Sequence, residues 1–65
     1  MKVTPREKEV LEMISTGNQN KVIAKNLGIS IHTVKNHVKS ILTKLNVENR
    51  TQAAIVYVSQ GVQCE

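Results

Sequence analysis

KVIAKNLGISIHTVKNHVKSILTKLNV, residues 21–47, is the stretch that decides the fold. It reads as a short helix over about Lys21–Leu27, a tight turn, and a second helix from Ile31 to about Leu45. Gly28 supplies the turn with a backbone conformation that a β-branched residue would resist. Ser30 is an N-cap residue for the helix that follows. In that helix Val34, Val38, Ile41, Leu42 and Leu45 fall at i, i+4, i+7, i+8 and i+11, one apolar stripe at helical period. At about 100° per residue the far side carries His32, Lys35, Asn36, Lys39 and Thr43. No acidic residue occurs anywhere between Lys21 and Val47. A solvated helix face ordinarily mixes charge signs, so this one expects an anionic partner. Two helices, a tight turn and a basic outer face are the layout of a helix-turn-helix that sets a helix in the major groove of DNA.

Outward from this stretch, the other helices carry their own start signals. Thr4-Pro5-Arg6-Glu7 is a capping box with proline at the first helical position. The helix it opens, about 5–16, buries Val10, Leu11 and Ile14 and stops at Gly17. The second helix, 20–27, turns Ile23, Ala24 and Leu27 inward, and the small Ala24 admits a close crossing. Asn49-Arg50-Thr51-Gln52 opens a fourth helix to about Gln60, with Gly61 after it. The expectation is one all-α domain over 1–65, with helices at about 5–16, 20–27, 31–45 and 50–60.

Length and composition agree. A chain of 65 residues allows one small domain. It has no Trp or Phe and one Tyr, so the core is aliphatic. One cysteine excludes an internal disulfide framework and a multi-cysteine zinc site, and Cys64 reads as a plain exposed thiol. A formal charge of +4 suits a nucleic acid or an acidic surface. No apolar run approaches a membrane span and no signal-peptide core follows Met1, so a soluble, cytoplasmic protein is expected. No cofactor is expected. Glu7, Glu9, Glu12, Glu48 and Glu65 read as scattered over exposed faces and ends, with no phosphate-binding glycine loop and no catalytic set, so no enzyme is expected. His32 and His37, five apart on one helix, diverge in angle and lack a third ligand, which argues against a metal.

The fourth helix is apolar on two sides. Ala53, Val56 and Tyr57 complete the core, while Thr51, Ala54, Ile55 and Val58 form a second strip without intramolecular cover. Two readings stay open for that strip: cover by segments outside this sequence, or self-association.

TPREKEVLEMISTG at 4–17, NKVIAKNLGIS at 20–30, TVKNHVKSILTKLNV at 33–47 and NRTQAA at 49–54 occur in this order and spacing. In these segments the chain resembles the DNA-binding domain of LuxR/FixJ/NarL-type (GerE-like) bacterial transcription regulators, from Thr4 to about Val58. The resemblance implies a tetrahelical domain whose third helix reads the major groove and whose fourth pairs two subunits. It also implies an output domain behind a receiver or a ligand-sensing domain, with double-stranded DNA, a weak homodimer partner and RNA polymerase as partners. Where the family usually has Ser-Asn-Lys-Glu before the second helix, this chain has Gln19-Asn20-Lys21-Val22. The reciprocal cap is lost, which leaves a looser helix start or moves the cap to Asn18. Position 36, apolar in many members, is Asn36 here and alters what the groove surface can read.

By face and by resemblance, Lys35, Asn36 and Lys39 are the base-reading candidates, with Ser40 and His32 flanking them. Asparagine pairs bidentately with adenine, and lysine donates to guanine O6 and N7. The lysines serve phosphate equally well. Lys21, Lys25, Thr33, His37 and Arg50 are the phosphate candidates. Thr33 is equally a helix-start hydrogen bonder, His37 a packing residue, and Arg50 a structural one. A different class of function stays beside this one: an interaction module that docks on polymerase or another regulator without reading DNA.

Overall fold

The computed structural model describes residues 2–64. The helices are α1 (Pro5–Ser15), α2 (Asn20–Leu27), α3 (Ile31–Leu45) and α4 (Arg50–Gln60). Three of the four start on a side-chain cap. Thr4 accepts from the Glu7 N–H while the Glu7 carboxylate takes the Thr4 N–H, Ser30 accepts from Thr33, and Asn49 from Gln52. At α4 the Gln52 side chain reaches back to the N–H of Glu48 at 2.7 Å.

The first three helices end alike. In each, a residue at positive φ turns the chain: Gly17 after α1, Gly28 after α2 and Asn46 after α3. The next N–H then bonds five residues back, Asn18 to Met13, Ile29 to Ala24 and Val47 to Leu42, each at 3.0 Å. This Schellman closure satisfies carbonyls that the helix leaves open, and it folds Ile29 and Val47 onto the core. Asparagine is the side chain that best tolerates the left-handed region at position 46.

Helix α1 packs on α3 and α4, and α2 packs on α3. Val10, Leu11 and Ile14 of α1, Ile23 and Ala24 of α2, Val34, Ile41 and Leu45 of α3, and Ala53 of α4 meet in one aliphatic core. Two short strands join the ends of the domain. Lys2–Val3 (β1) pairs in parallel with Gln63–Cys64 (β2), in register Lys2 with Gln63 and Val3 with Cys64. Val3 and Val62 are buried as members of the same core. A two-residue strand has no periodicity to read, so these valines gave no sign of their burial.

Three expectations need correction. The α2 start does not move its cap to Asn18: Gln19 is the N-cap and makes no side-chain cap bond. Asn18 instead turns back to α1, donating to the Met13 carbonyl and to Thr16 Oγ1. Ala54 is half-buried and packs on the core, because α4 lies over α1 along that side; the uncovered strip is Thr51, Ile55 and Val58. Glu7 is not an exposed acid but, among the described residues, the one buried polar residue, 5 % exposed. The Cys64 thiol, Met1 and Glu65 lie outside what the structure describes.

Candidate nucleic-acid interface

Capping by Ser30 and the Schellman turn after Leu27 fix the angle at which α3 leaves α2. Val34, Ile41 and Leu45 pin its inner face to the core. His32, Lys35, Asn36, Lys39 and Thr43 are consequently all exposed on the outer face. On α2, Lys21 and Lys25 are exposed as well. Among the described residues the ion pairs are Arg6–Glu9 and Lys44–Glu7, and neither involves Lys21, Lys25, Lys35 or Lys39. Four ammonium groups on one helix pair without a carboxylate among them make a field that attracts polyanions.

The flanking candidates divide differently. Ser40 is half-buried and its hydroxyl donates to Glu7 Oε2 at 2.6 Å, so it faces α1 and not the outer surface. Thr33 is half-buried; its N–H is taken by Ser30 Oγ, and the two hydroxyls lie 2.9 Å apart. His37 is half-buried on the flank of α3. Arg50 crosses from α4 to the α1–α2 turn, where Nη1 donates to Asn20 Oδ1 at 2.6 Å and Nη2 to the Asn18 carbonyl at 2.9 Å. Of the two roles open to Arg50, the structural one is occupied.

Behind the outer face lies a group that the sequence reading missed. Glu7 Oε1 accepts from Lys44 Nζ at 2.8 Å and from the Thr4 N–H at 2.8 Å, while Oε2 accepts from Ser40. Burial pushes the Glu7 carboxyl upward, but the hydrogen bonds from Lys44, Ser40 and Thr4 and the Lys44 charge outweigh it and hold it down at about 2. One carboxylate in the first turn of α1 thus grips two successive turns of α3 on the side away from the lysines. The signal was in the sequence: Glu7, Val10, Leu11 and Ile14 share the i, i+3, i+4, i+7 stripe of α1, so Glu7 sits on the buried face. On the opposite side of α1, burial and the nearby Glu12 carboxylate raise the pKa of Tyr57 of α4.

The description "Bacterial regulatory proteins, luxR family" (GerE) matches residues 1–57. The chain belongs to this family. It is 48% identical over 59 residues to the transcriptional regulatory protein DegU of Brevibacillus brevis, covering 91% of this chain and 25% of that protein. To the nitrate/nitrite response regulator protein NarL of Escherichia coli it is 45% identical over 53 residues, covering 82% of this chain and 24% of NarL. The chain therefore spans about a quarter of the length of these curated relatives. The fold superposes with a TM-score of 0.84, at 37% identity, on the DNA-binding domain of the response regulator ComA, solved in complex with the anti-activator RapF. That match covers 88% of this chain and 98% of the ComA domain. The chain is a LuxR-type helix-turn-helix domain of the kind carried by transcriptional response regulators.

Proposed function

We propose that this domain binds double-stranded DNA sequence-specifically, as the output domain of a cytoplasmic bacterial response regulator. The observation that carries the reading is the outer face of α3, where Lys35, Asn36 and Lys39 stand exposed, unpaired and free of nearby acids. In the major groove, Asn36 reads adenine and Lys35 and Lys39 divide between guanine and phosphate, with His32 at the edge. Lys21, with Lys25 beyond it, lies on phosphate where α2 crosses the backbone. The mechanism is binding without catalysis. Two domains meet through Thr51, Ile55 and Val58 of α4 on a two-fold site, and polymerase is the downstream partner.

The docking alternative has one specific support. ComA's domain, of the same fold, is held in its crystal structure by an anti-activator protein. DNA binding and docking separate in a salt titration. About three phosphate contacts per domain give a log–log slope of affinity on salt near −3, and about twice that for a pair of domains. Affinity for duplex DNA that stays flat from low to physiological salt would leave docking as the function.

A further inference from the structure

Helix α2 begins where residue preference says it should not. Asparagine is among the best N-cap residues and glutamine is not, yet Gln19 occupies the cap and Asn20 is already helical. Gln19 sits in extended backbone, φ −79° and ψ 160°, and its side chain satisfies no N–H of the helix. Val22, at the third helical position, has no acceptor to reach back with, so neither half of a capping box exists. Left to itself, Asn20 would take the cap and the helix would start one residue later.

What prevents this is Arg50. Its guanidinium straddles Gln19, with Nη1 on Asn20 Oδ1 at 2.6 Å and Nη2 on the Asn18 carbonyl at 2.9 Å. The carboxamide oxygen that would cap the helix is held by a charged donor, a stronger partner than a backbone amide. We propose that Arg50 is a positioning residue for DNA binding: it sets the first residue of α2 by withholding Asn20 from the cap. This rests on the reading that the α2 start lies on a backbone phosphate beside Lys21. There a self-capping Asn20 would place its own oxygen over the helix-start N–H groups and compete with the phosphate for them. Arg50 stands in the first turn of α4, next to Thr51 of the pairing strip, so the same side chain ties that helix to the DNA-facing turn.

The test combines NMR shifts of the whole chain with affinity for a random-sequence duplex at low salt. In the unmodified chain the Asn20 Cα and Cβ shifts are helical; extended values there overturn the proposal without any variant. Arg50→Met moves them to extended values and lowers affinity about three- to tenfold, the equivalent of one weakened hydrogen bond to a charged oxygen. Arg50→Lys, which keeps a charged donor, restores both. In an Asn20→Ala background, where no competing cap exists, adding Arg50→Met changes affinity by less than about twofold. A loss that persists in that background means Arg50 meets phosphate itself, and the proposal falls. It falls equally if Asn20 stays helical in Arg50→Met. Lys21→Ala separates the underlying reading: unchanged duplex affinity in that variant removes the phosphate at α2 while the shifts still decide the helix start.

Discussion

Protonating Glu7 should undo the contact between α1 and α3 in a pH window set by its own pKa. The carboxyl titrates near 4.5 when free and at about 2 in the folded domain. A carboxyl depressed by folding contributes stability that is complete above its unfolded value and is lost as pH falls through the folded one. The window is therefore about pH 4.5 down to about 2. A difference of that size corresponds to about 3 kcal/mol, of which roughly 2 kcal/mol is gone by pH 3. Lys44 is about one-third exposed, so water screens part of its attraction and lowers the total toward roughly 2 kcal/mol. Urea unfolding followed by circular dichroism, with the unmodified chain beside Glu7→Gln, isolates this group from every other carboxylate. At pH 7 the variant should be less stable by about 2–3 kcal/mol. At pH 3 the gap should shrink to about 1 kcal/mol or less, because the unfolded carboxyl is then protonated and folding must remove that proton to form the Glu7 bonds. A gap equal at both pH values would refute the argument, since it would show that Glu7 contributes shape and not charge.

Ser40→Ala should cost about 1 kcal/mol of stability by losing the Glu7 bond, and should leave base preference in a random-pool selection unchanged. Asn46→Val should lower stability by about 1–2 kcal/mol in thermal unfolding, because a β-branched residue resists positive φ, whereas Asn46→Gly should be nearly neutral. Asn36→Ala should relax preference at one base of each half-site with non-specific affinity kept, and Lys21→Ala should weaken cognate and scrambled duplexes alike. Val58→Glu should abolish cooperative filling of two adjacent half-sites in gel-shift titrations while single half-site binding stays within about twofold, because it sets like charges across the two-fold axis.

All four helices were legible, with the caps that start three of them and the glycines that follow α1, α2 and α4, because local chemistry writes these signals; the α2 cap and Asn46 after α3 were not. A capping box, two further N-caps, glycines at left-handed turns and a 3.6-residue stripe each act within one or two turns of chain. What escaped depends on partners far away in sequence. Glu7 meets Ser40 and Lys44 across separations of 33 and 37 residues, and Arg50 meets Asn20 across 30. A residue's type records only that it can form such bonds. Ser40 illustrates this: on a helical wheel it borders the lysine face, and only the position of α1 turns its hydroxyl inward. Ala54 was misjudged for a related reason, since which side of α4 is covered depends on where α1 lies.

The two faces of α3 use the same kinds of side chain for opposite ends. Lys44 and Ser40 are drawn to one buried carboxylate, while Lys35 and Lys39 enter no ion pair among the described residues, which in the proposed reading leaves their charge for a polyanion. A recognition helix needs both arrangements: discrimination between base pairs requires donors placed to a fraction of an ångström, and that placement fails if the helix can roll on the core. Aliphatic packing alone resists rolling weakly, because valine and isoleucine contacts carry little direction. The Glu7 bonds are directional and sit one turn apart on the rear flank of α3, so they resist rotation about the helix axis where the core does not. Pairing of two domains calls for the reverse economy. Ile55 and Val58 are 60% and 74% exposed, and with Thr51 they make a strip far smaller than the roughly 800 Å² per partner of a stable interface. Such a strip adds little to a lone domain. In the proposed pairing it would act only once DNA or a larger assembly had brought two copies together, when the second contact becomes intramolecular and gains a high effective concentration. Weak pairing of that kind would leave occupancy of a two-fold site under the control of whatever sets that proximity.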